Sequence, residues 1–279
     1  MLTQSSRLSA ISGFEKCDLY PLIETGNCNI REMLLNLHYQ PHDDMNEKKH
    51  IVVLTGAGIS AESGVVTFRD IGGLWHIYNP MELASINGFR RNREAALDFY
   101  NKRRAQLATV EPNHAHKVLA ALENDYRVSI ITQNVDDLHE RAGSTDVLHL
   151  HGELSKVTGM NNPNDRRCIT TKPLNEPIVI GDKAADGSQM RPFVVMFGEP
   201  VPNITRAHNI VEQADVFVVI GTSLTVYPAA DLINAVPYNT PCFIIDPNEI
   251  DAATDLGFTP FKDTACRGID RFVELLNEL

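Results

Sequence analysis

No Cys-x-x-Cys pair occurs in this sequence, and its five cysteines, at positions 17, 28, 168, 242 and 266, are scattered and odd in number. A disulfide framework is therefore not expected, and a reducing compartment is. A four-cysteine zinc site is not expected either, because only Cys168 falls in the middle region. Apolar runs are short: Val216 to Ile220, among the longest, is far below the ~20 residues that span a bilayer. The polar N-terminus has no secretory apolar region, so the expectation is a cytoplasmic protein without a membrane partner. Positive charge is also scarce. Twenty-five Lys and Arg against 36 Asp and Glu give a net charge of -11, which disfavours direct nucleic-acid binding. Repeats and low-complexity tracts are missing.

What remains is ordinary globular composition, 43% hydrophobic and 22% charged. A length of 279 residues holds one large α/β domain, alone or with a smaller inserted lobe. Residues 1–45 lack sustained periodicity and read as an appendage, either a regulatory arm or a segment upstream of a natural start at Met45. From Ile51 onward, short β-branched runs alternate with helical patterns, as a parallel sheet covered on both faces requires. The predicted strands are Ile51 to Thr55, Val128 to Thr132, Val147 to Leu150, Val216 to Ile220 and Cys242 to Ile245. Helical spacing appears at Ala95 to Leu107, Ala115 to Leu122, Ile204 to Ala214 and Phe272 to Leu276. The expected fold is α/β, a doubly wound parallel sheet of Rossmann type. A helical excursion falls within 72–124, and a small irregular lobe, with Glu176 to Ile180 its one possible strand, is inserted over 153–194.

Ile51-Val-Val-Leu-Thr-Gly56-Ala-Gly58-Ile-Ser60-Ala61 is an apolar strand feeding a small-residue turn and a helix start. Gly56, Gly58 and Ala61 satisfy G-x-G-x-x-A, whose backbone can approach a diphosphate. A tight turn without ligand is the plainer alternative. A hydride-transfer dehydrogenase also needs an acidic residue ending a second strand roughly 20 positions on. That region is His76-Ile-Tyr78, and no strand pattern is present.

Seven ordered blocks go beyond a generic turn: Gly56 to Gly64, Thr67-Phe68-Arg69, Thr132-Gln133-Asn134-Val135-Asp136, His139 to Gly143, His151-Gly-Glu153, Phe197-Gly198-Glu199 and Gly221-Thr222-Ser223. In order and spacing they resemble the sirtuins, over residues 46–279. Within that family the pair Tyr100-x-x-Arg103 looks most like the desuccinylase and demalonylase subgroup.

The resemblance implies an NAD-consuming deacylase of acylated-lysine proteins. The acyl oxygen attacks C1′ of the nicotinamide ribose, nicotinamide leaves, and a base activates a ribose hydroxyl, ending in O-acyl-ADP-ribose. His151 matches the base, a task suited to a side chain whose ordinary pKa is about 6.5, and Asn134 the residue that holds a ribose or an ordered water. The implied co-substrate site comprises Gly56, Ala57, Gly58, Ser60, Glu62, Thr67, Phe68, Arg69, Trp75, Gln133, Asn134, Val135, Asp136, His151, Gly221, Thr222, Ser223, Asp246, Asn248 and Cys266. Asp136 would accept from the carboxamide, Phe68 shield C1′ and Arg69 meet phosphate. Asp246 would suit ribose hydroxyls and repel a 2′-phosphate, favouring NAD over NADP, and the Cys266 backbone would meet adenine.

The implied substrate side is Ala84, which widens the acyl pocket, Tyr100 and Arg103, which read a carboxylate, and Val195, Phe197, Gly198 and Glu199, which pair with the peptide as an added strand. Plainer readings stand beside these. His149 and His151 could share a metal, though no third ligand is recognisable; Asn134 and Asp136 could cap a helix; Phe68 could be core; and Lys102-Arg103-Arg104 could be a solvated basic helix. Two departures stand out. The family's four zinc cysteines are reduced to Cys168, so zinc is not expected, and Val66 replaces the proline usual before Thr67. Transfer of ADP-ribose to protein, or a silent NAD-binding sensor, are the competing functions; His151 argues against the first, and the joint presence of Tyr100, Arg103 and His151 against the second.

Overall fold

Strand segments that are apolar at every position have no face to show to water, so they belong in a sheet covered on both sides. In the computed structural model, which describes residues 48–67 and 77–279, β1 (His50–Thr55) and β7 (Val216–Ile220) are buried along their whole length. With β2 (Arg127–Thr132), β3 (Val147–His149), β8 (Cys242–Ile245) and β9 (Thr259–Phe261) they form a six-stranded sheet in the order β3-β2-β1-β7-β8-β9. All five pairings are parallel. The strand order reverses beside β1, and sheets of this kind bind ligands outside the carboxyl ends of the strands at such a reversal.

Each face carries its own core. Val52, Leu54, Phe217 and Val219 pack on one side, with α7 (Ile204–Val211) among the covering elements. Ile51, Val53, Ile130 and Val218 pack on the other, beneath α5 (His114–Leu122) and α9 (Ala265–Leu276). The five strands predicted from sequence are all present; β9 is additional, since Thr259-Pro260-Phe261 is too short to show periodicity.

Before β2 come α1 (Ala57–Ala61), α2 (Pro80–Leu83), α3 (Ile86–Arg91) and α4 (Arg93–Leu107), the last three starting at asparagine or serine caps. After it come α6 (Leu138–Ala142) and, between β8 and β9, α8 (Asp251–Asp255). Among the described residues no helix is long and apolar enough to cross a membrane. The appendage of residues 1–45 lies outside the described residues.

The inserted lobe is more regular than its composition suggests. β4 (Gly152–Gly159) pairs antiparallel with β5 (Thr170–Thr171) and β6 (Met190–Val194). Residues 176–180, expected as a strand, form none; Ile178 is tied instead to the Asn101 side chain, which takes both its amide and its carbonyl. No cluster of three or more metal-binding side chains occurs among the described residues, and with Cys168 the lobe's single cysteine its residues do not fit the family's zinc. Arginines tie it down. Arg104, fully buried on α4, donates from Nη1 to the Leu154 carbonyl and from Nη2 to those of Lys172 (3.0 Å) and Pro173 (2.7 Å). Arg191, also fully buried, forms a bidentate pair with Glu199 at 2.6 and 2.9 Å. A solvated basic helix at 102–104 is thereby corrected: Lys102 is solvated beside Asp98, whereas Arg104 is core.

Candidate active site

Every strand that feeds the site delivers its loop at the same edge. β1 leads into Gly56, β2 into Gln133 and β7 into Gly221, and these loops are stitched together. Gly58 N–H donates to the Gly221 carbonyl at 2.9 Å, Gln133 N–H to the Thr55 carbonyl at 2.9 Å, and Gln133 Nε2 to Thr222 Oγ1 at 3.0 Å. A Cβ on Gly58 would stand 2.6 Å from Gly221 Cα, and Gly221 itself has φ +64. Both glycines are thus demanded by the contact between two backbones, whether or not a diphosphate is present.

Around Asn134 the polar groups converge. Its amide Nδ2 donates to the Gly56 carbonyl (3.1 Å) and to Ser60 Oγ (3.2 Å), and Ser60 Oγ donates in turn to Asp136 Oδ2 (3.0 Å). Asn134 Oδ1 has no partner among the described residues. Ser60, Asn134 and Asp136 are all buried, and burial raises the Asp136 carboxyl to about 6 against bonds from the Leu138 amide and Ser60 that favour its charge. Asp136 Oδ1 accepts from the Leu138 amide at 3.3 Å, the expected helix-capping use.

His151 sits just past β3. Its Nδ1 bonds the Gln133 carbonyl at 2.9 Å, which places the ring hydrogen on Nδ1 and leaves Nε2 a bare acceptor. Burial pushes its pKa below 6.5, outweighing that carbonyl, so the ring is neutral at physiological pH. Both His149 nitrogens are spent on Asn134 and Glu140, which leaves the alternative of a metal shared with His151 without support.

The residues that carry this arrangement match the Sir2 family pattern over 56–228. A protein of Bacteroides thetaiotaomicron named NAD-dependent protein deacylase is 49% identical over 229 residues, spanning 82% of this chain and 98% of its own length. A second of that name, from Helicobacter pylori, is 51% identical over 231 residues, spanning 83% and 99%. The chain belongs to the Sir2 family. Among solved structures, a Sir2 homologue in complex with NAD superposes with a TM-score of 0.71 at 38% identity, covering 83% of this chain and 91% of that one. A Sir2 complex with a p53 peptide and NAD+ superposes with a TM-score of 0.66 at 27% identity, covering 90% and 100%.

In this Sir2-family chain Arg103 lines a cavity with Ala57, Val135, Asn134 and Asp136. Its Nε and Nη1 are buried without a partner among the described residues, and its guanidinium stands 5.9 Å from the Phe99 ring. Tyr100, on the same helix, is buried; desolvation raises its pKa, so its phenol keeps its hydrogen. Ala84 is buried where α2 ends.

Other predicted residues are committed elsewhere. The Phe197 amide donates to the Ala84 carbonyl (2.9 Å) and its carbonyl accepts from the Ile86 amide (3.0 Å), so its main chain already pairs with 84–86. The Glu199 side chain is bound to Arg191 and accepts from the Met196 amide, a use separate from the backbone pairing expected of this segment. Val195 donates to the His151 carbonyl at 2.8 Å, and Gly198, at φ +92, turns the chain beyond it. Glu62 accepts from Thr264 Oγ1 and from the Cys266 amide (2.8 Å), so that amide is taken before any adenine arrives. Asp246 Oδ1 accepts from the Asn248 amide and side chain, and Ser223 Oγ lies 2.9 Å from Thr225 Oγ1. Thr67 is half-buried at the edge of the described residues, and Phe68, Arg69 and Trp75 lie outside them. Sequence reasoning missed Thr132, whose Oγ1 accepts from the Asn134 amide at 3.0 Å; its place at the end of an apolar strand was the available signal.

Proposed function

We propose that this chain is an NAD-dependent protein-lysine deacylase that favours acyl groups ending in a carboxylate. The deacylase reading is supported by the relatives' shared name and by His151. With Nδ1 held by Gln133 and burial keeping the ring neutral, Nε2 can take the proton of a ribose hydroxyl. Asn134 Oδ1 is left to accept from a hydroxyl or water, and Asp136, mainly ionised above pH 6, from the nicotinamide amide. Small residues at Gly56, Ala57, Gly221, Thr222 and Ser223 give the phosphates and adenosine close backbone approach, and Asp246 favours NAD over NADP. The peptide would add as a strand along 195–199, on an edge other than the one Phe197 shares with 84–86.

Arg103 carries the preference for acidic acyl groups. A guanidinium with two buried nitrogens that have no partner among the described residues, in a cavity beside Asn134, is costly until a carboxylate supplies the missing acceptors. Arg103→Met should reduce kcat/KM for succinyl-lysine peptide by roughly ten- to a hundredfold, the scale of hydrogen bonds to a charged group. Acetyl-lysine turnover should be preserved or improved. Equal losses on both peptides would refute the selectivity.

A further inference from the structure

Two histidines, two residues apart, hold the same loop, yet their surroundings differ by one carboxylate. His151 Nδ1 bonds the Gln133 carbonyl and its Nε2 is unpaired among the described residues. His149 Nδ1 lies 3.0 Å from the Asn134 carbonyl, and its Nε2 lies 2.8 Å from Glu140 Oε1. A carbonyl oxygen and a carboxylate oxygen only accept, so both ring nitrogens of His149 carry hydrogens. Burial works against that charge, but the hydrogen bond and the charge of Glu140 outweigh it and raise the His149 pKa above 6.5. The same contact holds the Glu140 carboxyl below 4.5 despite its burial. Neighbouring imidazoles are thus driven apart, His149 towards the cation and His151 towards the neutral ring.

We propose that Glu140 and His149 are a positioning pair for the co-substrate site: Glu140 fixes both hydrogens on His149, and His149 clamps the Asn134 carbonyl. The catalytic consequence rests on the deacylase reading above. Asn134 is held at three further points: its amide by Thr132 Oγ1, and its Nδ2 by the Gly56 carbonyl and Ser60 Oγ. Among the described residues only the grip of His149 lies on the carbonyl side of Asn134. Without it the peptide plane after Asn134 can turn, and Oδ1 loses its fixed aim. His149 is 7% exposed, so water cannot readily replace the clamp. The charged and titratable groups around the pair are Glu140 and His139 on α6, Asp136 before that helix, Glu153 and its partner Lys156 on β4, and Arg206 across the neighbouring cavity. The three carboxylates favour the cation, His139 is kept neutral by burial, and Lys156 and Arg206 are the opposing charges.

The test uses the full chain with Glu140→Gln, Glu140→Asp and His149→Leu. Ring nitrogen-15 spectra at pH 7.5, assigned by the signals that His149→Leu removes, should show both His149 nitrogens protonated in the unchanged protein. The Nε2 hydrogen should be lost in Glu140→Gln and restored in Glu140→Asp. His149→Leu should raise the KM for NAD at least tenfold while the acyl-peptide KM stays within twofold. Calorimetric NAD affinity should fall in parallel. A neutral His149 ring in the unchanged protein, or NAD affinity unaltered in both Glu140→Gln and His149→Leu, would overturn the proposal. Should His149→Leu fail to fold, Glu140→Gln, nearly isosteric and partly exposed, decides by ring state, assigned through its pH dependence, and by NAD affinity. If the unchanged protein removes no acyl group, the functional reading falls, while ring state and NAD affinity still judge the pair.

Discussion

Arg104→Leu probes the lobe that has lost its zinc cysteines. In the folded chain the guanidinium is fully buried and its two Nη nitrogens serve the carbonyls of Leu154, Lys172 and Pro173. Leucine keeps much of the aliphatic volume and removes every donor. Leu154 is buried, and its carbonyl would be left unpaired, at about 1–3 kcal/mol. Lys172 and Pro173 are nearer the surface, so water offsets part of their loss. A total near 3 kcal/mol follows, more than a hundredfold in the folding equilibrium. Urea unfolding followed by circular dichroism should show this loss, and hydrogen exchange should show its first signs in Gly152–Gly159 and Met190–Val194. A chelator should leave the unchanged protein's midpoint where it was. A destabilisation below ~0.5 kcal/mol, the range of ordinary surface substitutions, or a marked drop with chelator, would refute the claim that arginine holds this lobe.

Further outcomes follow from the buried titrating groups. Burial lowers the His151 pKa, so its neutral form persists further into acid, and the acid limb of kcat/KM should lie below pH 6.5; a limb above pH 7 would contradict a buried neutral base. Asp136 has a folded pKa of about 6 against an ordinary 3.8, so its ionisation costs stability that accumulates as pH rises through that window. Asp136→Asn should therefore gain up to about 3 kcal/mol at pH 7, at 1.36 kcal/mol per pKa unit, while losing NAD-dependent turnover. Equal stability of the two proteins at pH 4 and at pH 7 would show that burial does not strain this carboxylate.

The five predicted strands of the parallel sheet were legible because they are short, mostly apolar runs rich in β-branched residues, the pattern of strands covered on both faces. Their carboxyl ends then located the Gly56, Gln133 and Gly221 loops without coordinates. Composition misled in the inserted lobe. β4 and β6 mix buried and partly buried residues without a period of two, and a register shift falls between Glu153 and Val157, so alternation is broken, whereas the largely apolar Glu176 to Ile180 is anchored by Asn101 instead of a strand partner. Long-range ties were invisible for the same reason. Nothing local in Lys102-Arg103-Arg104 distinguishes the solvated, the waiting and the buried cation; the helical turn points each a different way. Glu199 and Glu62 matched family positions, yet their oxygens are taken by Arg191 and by the start of α9.

The most direct test is mass spectrometry of a succinyl-lysine peptide incubated with NAD and the full chain, beside His151→Ala. Free lysine peptide, nicotinamide and O-succinyl-ADP-ribose in equal amounts, all but abolished in the variant, are the predicted result. An intact peptide with NAD unchanged, or ADP-ribose attached to protein instead, would contradict the assignment of this chain as a lysine deacylase with His151 as its base.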